Sequence, residues 1–178
     1  MMVNLGYQEQ DKHYINYHLW TLPGINLHLR GPRHFDPNHY FVSIGAAQTF
    51  GRFCHDTYTS LLSRWLNISA VNLGFSGAGP SYFFLRPALI DLINASRFCI
   101  VQVMSGRSLN NSRFELGPNQ GLSRPRGSSE DYVFAEHAYA RFLEHAHVDD
   151  IIALRTEIQN NYVSEYIHLA SLIRVTTI

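Results

Sequence analysis

Residues 40–53, YFVSIGAAQTFGRF, carry the pattern that decides the fold of this chain. The stretch begins with residues that are apolar apart from Ser43, which is typical of a strand covered on both faces of a sheet. Gly45 then begins a loop. In parallel α/β proteins, ligands bind beside such loops, at the carboxyl ends of the strands. The stretch therefore predicts both a buried strand and the place of a site.

Strand and helix patterns alternate along the rest of the chain. We expect strands at 39–45, 69–73 and 98–104, helices at 55–66, 81–95, about 130–146 and 148–173, and the start of a fourth strand at 175–178. This spacing predicts a doubly wound α/β sheet with right-handed crossovers. Residues 105–130 are predicted to form a long polar loop.

Residues 1–38 contain turn signals such as Pro23-Gly24 and Gly31-Pro32. We interpret them as an arm with one or two short strands, near 20–22 and 26–29, that lies across a domain formed by residues 39–178. The chain stops where the fourth strand begins. A three-stranded sheet would leave a buried-type strand at its edge, which favours pairing with other chains. We therefore expect either a truncated domain or a homodimer formed through the sheet edge.

Composition narrows the class of protein. The 178 residues are 46% hydrophobic and 16% charged, which suits one globular domain. Lys+Arg and Asp+Glu are equal at 14 each, which argues against a nucleic-acid partner. No apolar run approaches the roughly 20 residues of a membrane helix, and the N-terminus does not resemble a signal peptide. The expected location is the cytoplasm.

Three strand-end loops resemble the first three sequence blocks of SGNH (GDSL-type) hydrolases. They are GAAQT at 45–49, NLGFSGAGP at 72–80 and QVMSGRSLNNS at 102–112. More closely, residues from about 22 to 178 resemble an uncharacterised bacterial domain family of SGNH-like type, which shares loops similar to GAAQTFGRF, NLGFSGAGP and QVMSGRS. This resemblance implies a flavodoxin-like, three-layer α/β domain with a short, mainly parallel sheet, which this chain could represent only in part.

The resemblance also implies that the usual hydrolase chemistry is missing. Gly45 matches the glycine of the first block, but Ala47 stands where the serine nucleophile is usual and Ala46 where aspartate is usual. Gly77 matches the glycine of the second block, while Ser108 falls near the asparagine position of the third. The family's Asp-x-x-His pair has no match in this chain. We therefore expect a catalytically degenerate domain.

Polar residues in the three loops are the candidates for ligand binding. The full candidate set is Gly45, Gln48, Thr49, Ser76, Gly77, Arg107, Ser108 and Asn111. Arg107 could bind a carboxylate, sulfate or phosphate through two hydrogen bonds, or it could pair with Glu115 or another surface carboxylate instead. Gln48 and Thr49 could contact a polar ligand or simply satisfy the loop backbone.

Three functions remain open from the sequence. The first is a degenerate relative that binds a polar small molecule or a glycan. The second is an esterase or acyltransferase completed by a further C-terminal segment, with Ser76 as nucleophile and the Gly77 amide near the oxyanion. The third is an assembly module that pairs through an open sheet edge. No cofactor is expected, and His137, His145 and His147 lack the convergent spacing of metal ligands.

Overall fold

A computed structural model describes residues 11–33, 35–117 and 121–178 of the chain. A short 3-10 helix, Gly106–Ser108, follows the fifth strand. The strands and longer helices are, in chain order, β1 (Trp20–Leu22), β2 (Ile25–Leu29), β3 (Tyr40–Gly45), α1 (Ala47–Phe50), α2 (Tyr58–Leu66), β4 (Ser69–Gly74), α3 (Pro80–Phe84), α4 (Pro87–Asn94), β5 (Phe98–Val101), β6 (Phe114–Leu116), β7 (Leu122–Pro125), β8 (Val133–Phe134), α5 (Ala135–His145), α6 (Val148–Leu172) and β9 (Thr176–Thr177).

Four parallel strands form the main sheet, in the order β4-β3-β5-β9. Every residue of β3 is buried, as expected for a strand covered on both faces. The fourth strand expected near residue 175 is β9, and the Ile178 N–H beyond it donates to the Cys99 carbonyl at 2.9 Å. The predicted α/β class with a mainly parallel sheet is therefore confirmed.

The long loop predicted for residues 105–130 is wrong in part, because this segment contains β6 and β7. These strands pair antiparallel, and β8 adds a third strand to their small sheet. Arg124 Nε donates to Glu115 Oε1 at 2.6 Å across the pair, which stabilises the ladder. Strands of three and four residues are too short for their alternation to stand out in the sequence.

Other expected elements also differ in their bounds. The helix expected at about 130–146 is α5, which begins at Ala135 after β8, and the helix expected at 55–66 begins at Tyr58. The helix expected at 81–95 is two helices, α3 and α4. Pro87 begins α4, because a proline lacks the N–H needed inside a helix but fits its first turn. The strand expected at 98–104 ends at Val101, although the Gln102 N–H still donates to the Ile44 carbonyl at 2.9 Å.

The described part of the N-terminal arm contains the antiparallel hairpin β1–β2. Leu22, Ile25 and Leu29 of this hairpin belong to the same buried cluster as the central strands. Arg30 forms an antiparallel bridge with Asn72, so the arm covers part of the β4 edge of the main sheet. Residues 1–10 of the predicted arm lie outside the described residues.

The opposite edge of the main sheet is β9, whose two residues are exposed. Pairing with a second copy at this edge stays a prediction. Within the described residues, no helix combines the length and apolar character needed to cross a membrane.

Candidate functional site

A cavity of about 620 Å³ lies at the carboxyl ends of β3, β4 and β5. After β3 the chain forms β4, which pairs with one edge of β3. It later forms β5, which pairs with the opposite edge of β3. Neighbouring strands whose connections diverge in this way mark a topological switch point, where open parallel sheets bind ligands. The cavity lies where the sequence predicts a site.

Several of the predicted site residues line this cavity together. They are Gln48 after β3, Ser76 and Gly77 after β4, and Arg107 and Ser108 after β5. Gln48 is exposed and Ser76 is half-buried, so both side chains are accessible, whereas Ser108 is buried. Gly77 has a φ of +73°, a left-handed conformation that glycine adopts at no steric cost. The three loops therefore meet as the sequence predicts.

Gly45 and Thr49 are not part of the lining. The Thr49 side chain is fully buried, and its hydroxyl lies 3.0 Å from the Tyr58 hydroxyl and 3.1 Å from Gln102 Oε1. A Cβ atom on Gly45 would lie 2.7 Å from Gln102 Cβ, which side-chain rotation cannot move away, so glycine is needed there for close approach. Both residues stabilise the loop on its buried side, so we no longer count them among the candidate ligand contacts.

Asn111 also differs from its predicted role as a ligand contact. It is 4% exposed, and its Nδ2 donates to the Tyr139 hydroxyl at 2.8 Å. Its Oδ1 accepts from the backbone N–H groups of Arg113 and Phe114 at 3.0 and 2.8 Å. These hydrogen bonds hold the turn before β6 and occupy the Asn111 side chain. Asn111 is not part of the cavity lining.

Gln102 is a site residue that sequence reasoning missed. Its Oε1 accepts from the Ala46 N–H at 2.9 Å, and its Nε2 donates to the Val103 carbonyl at 2.8 Å. The side chain thus ties the loop after β3 to the loop after β5. The available signal was a polar residue inside the otherwise apolar run 98–104.

Two arginines and one glutamate carry the charges of the described lining. Arg107 Nη1 lies 3.7 Å from Glu136 Oε2, and both side chains are more than half exposed, so this pair is weak. Of the partners considered from the sequence, Glu115 pairs with Arg124, and the surface carboxylate that Arg107 faces is Glu136. The Arg107 guanidinium therefore remains open to a ligand.

A family model described as Domain of unknown function (DUF6473) matches residues 5–121. The chain belongs to this family. The prediction of an uncharacterised domain family is thereby confirmed. Searches of the curated proteins and of the solved structures gave no match. The DUF6473 match includes the three loops of the cavity, while Phe134 and Glu136 of the lining lie beyond it.

Arg52, the second arginine of the DUF6473 cavity, is held by Asp11. Its Nε donates to Asp11 Oδ2 at 2.7 Å and its Nη2 donates to Oδ1 at 2.9 Å. Hydrogen bonding from Arg52 holds the pKa of Asp11 below its usual value, although burial opposes this effect. A bidentate pair of this kind fixes the orientation of the guanidinium as well as its charge.

We expect the Asp11–Arg52 pair to contribute stability that acid removes. Because the pKa of Asp11 is lowered by folding, the contribution is present above the unfolded value of about 3.9 and is lost as the pH falls through the lower folded value. Urea unfolding of the wild type and Asp11→Asn between pH 7 and pH 3 checks this. The difference in the free energy of unfolding between the two proteins should shrink below about pH 4. A difference that stays constant with pH would contradict the expectation.

The histidine and cysteine side chains considered from the sequence lie away from the cavity lining. Across residues 11–33, 35–117 and 121–178, no group of three or more His, Cys, Asp or Glu side chains is placed to hold a metal ion. His145 lies in the last turn of α5, and His147 stands at the N-cap position of α6 without a side-chain capping bond. Burial raises the pKa of the Cys99 thiol to about 12, so this thiol is unreactive at neutral pH.

Proposed function

We propose that this domain is a catalytically degenerate relative of SGNH hydrolases that binds a polar small molecule or a glycan. The ligand occupies the cavity at the carboxyl ends of β3, β4 and β5. The observation that carries the proposal is the meeting of Gln48, Ser76 and Arg107 in one cavity at the switch point. Its volume of about 620 Å³ is in the range of small-molecule sites.

The strand order supports the fold part of this proposal. Counted along the chain, the parallel strands of the main sheet follow the order second, first, third, fourth. That is the order of flavodoxin-like sheets, which bind their ligand between the first and third strands. In this chain these strands are β3 and β5, and both contribute loops to the cavity.

The local chemistry favours binding over catalysis. Ala47 begins α1 where the resembling hydrolases carry the nucleophile, and Ala46 precedes it with no side-chain cap. Ser76 needs a base within hydrogen-bond reach to act as a nucleophile. The lining within the described residues includes no histidine, and its carboxylate, Glu136, faces Arg107.

The lining suits a ligand that combines hydroxyl groups with a negative charge. The Arg107 guanidinium can donate two parallel hydrogen bonds to a carboxylate, sulfate or phosphate. The Gln48 amide can donate and accept, which matches hydroxyl groups. Phe134 is half exposed at the cavity, where its ring can pack against the apolar face of a sugar. Acidic sugars and sugar phosphates are therefore the ligands to test first.

Arg107→Ala is expected to weaken ligand binding by about tenfold or more, because it removes a charge-assisted hydrogen bond. A thermal-shift screen of acidic and phosphorylated sugars, followed by calorimetry on the hits, measures the effect. Arg155→Ala, at an exposed position of α6 outside the lining, is the matched control and should bind normally. Unchanged affinity of Arg107→Ala for every hit would contradict the proposal. A fluorophosphonate adduct on Ser76 would support the esterase alternative instead.

A further inference from the structure

Arg30 is a buried cation that contacts no carboxylate within the described residues. Arg30 is the residue directly after β2, and it is 2% exposed. Nη1 donates to the carbonyls of Tyr17 and Gly31 at 2.7 and 2.6 Å, and Nη2 donates to those of Cys54 and His55 at 2.9 and 3.3 Å. Among the described residues, no carboxylate forms an ion pair with it. Buried charges are normally paired, because their removal from water is costly.

A small cleft with unsatisfied donors adjoins this cation. The cleft has a volume of about 70 Å³ and is lined by Arg30, Thr59 and Arg64, among others. Two buried polar atoms of these residues, Arg30 Nε and Thr59 Oγ1, have no hydrogen-bond partner in the part of the chain that the structure describes. One water needs only about 10–15 Å³ of such space, so the cleft has room for a small polyatomic ion. A sugar or a nucleotide is too large for it.

The cleft also lies at the N-terminal end of α2, a helix of nine residues. Thr57 caps this helix by accepting from the Ser60 N–H at 3.1 Å, which leaves the N–H groups of Tyr58 and Thr59 without an intrahelical acceptor. Helix N-termini favour negative charge.

The charges beside the cleft point to the same class of ligand. Arg64 pairs with Asp56 at 2.8 Å, whereas Asp56 acts on Arg30 only through a Coulomb interaction without direct contact, so no carboxylate of the described residues contacts the Arg30 guanidinium. Burial lowers the pKa of Arg30, which reflects how poorly its charge is solvated. A negatively charged occupant would remove that penalty.

We propose that this cleft, the Arg30 cleft, binds a tetrahedral oxyanion, either free phosphate or the phosphate group of a larger molecule. Arg30 Nε–H and the Thr59 hydroxyl donate to its oxygens, and Arg64 supplies a second positive charge at the mouth. The bound anion neutralises Arg30 and joins the N-terminal hairpin to α2. The cleft shares no lining residue with the cavity of the proposed function.

Calorimetry and phosphorus NMR of the full chain with inorganic phosphate test this site. We expect saturable binding of one phosphate, weakened about tenfold by Thr59→Val and by Arg64→Gln. Neither variant should unfold the protein, because the Thr59 hydroxyl has no partner among the described residues and the Arg64 side chain is more than half exposed. Thr156→Val and Arg155→Gln, at exposed positions of α6, are the matched controls and should bind phosphate normally.

Each outcome decides one part of the proposal. Competition by phenyl phosphate would support the phosphate group of a larger molecule, and binding of inorganic phosphate alone would support the free ion. No phosphate binding to the wild type at tens of millimolar would overturn the site. Equal binding by the wild type, Thr59→Val and Arg64→Gln would also overturn it. If Arg107→Ala weakened phosphate binding instead, the phosphate would bind in the cavity of the proposed function. The experiment can therefore contradict either proposal without contradicting the other.

Discussion

Gly74→Ala is expected to lower the free energy of unfolding by more than about 3 kcal/mol. A Cβ atom on Gly74 would overlap the backbone nitrogen of Phe50 and lie 2.5 Å from the Thr49 carbonyl carbon. These atoms belong to the backbone of α1, so no side-chain rotation can relieve the overlap. The substitution must push α1 away from β4, and α1 carries Gln48 of the candidate site.

Urea denaturation measures this loss of stability, with Gly24→Ala as the matched control. Gly24 lies in the β1–β2 turn at a φ of +80°, and a Cβ atom there has open space around it. The control substitution should therefore lower the free energy of unfolding by about 1–2 kcal/mol, which is the cost of an alanine in the left-handed backbone conformation. If both variants lose equal stability, close contact between β4 and α1 is not what requires Gly74.

Asn72→Ala is expected to lower the free energy of unfolding by about 2–4 kcal/mol, because it leaves two buried backbone groups without their side-chain partner. Asn72 is 4% exposed. Its Nδ2 donates to the Thr49 carbonyl at 2.6 Å, and its Oδ1 accepts from the Gly74 N–H at 2.9 Å. One amide therefore holds the end of α1 and the end of β4 together, beneath two of the loops that form the candidate site.

Asn94→Ala is the control for this effect. Asn94 makes the same two kinds of bond, to the Leu172 carbonyl at 2.9 Å and from the Arg174 N–H at 2.7 Å, but it is only half-buried. Water can replace its amide, so we expect a loss of about 1 kcal/mol or less. Urea unfolding compares the two variants, and amide exchange at Gly74 should accelerate in Asn72→Ala alone. Equal losses would show that burial of these bonds is unimportant.

Features encoded by neighbouring residues could be predicted from the sequence. The apolar run before Gly45 predicted β3, and Pro23-Gly24 predicted the turn between β1 and β2. The pattern at 148–173 predicted α6 to within one residue. Pro87 was also a local signal, and its position explains why the helix expected at 81–95 is divided. Each of these features depends on backbone preferences within a few residues.

Features that depend on distant residues could not be predicted in this way. The same loop contains Gln48, which is exposed at the cavity, and Thr49, which is fully buried. Nothing within the loop separates these two polar residues, because the atoms that enclose Thr49 come from Tyr58 and Gln102. Asn111 was misjudged for the same reason, since Tyr139 and the turn before β6 occupy its amide.

The sequence by itself determined the α/β class, the parallel strands and the three loops at their carboxyl ends. Hydrophobic periodicity and glycine positions act over a few residues, so a single chain is enough to reveal them. Only the tertiary structure decided which polar side chains face the cavity, that Glu136 is the partner of Arg107, and that Arg30 is buried with no contacting carboxylate among the described residues. Burial and ion pairing are properties of packed neighbours, which here are brought together from positions far apart in the chain.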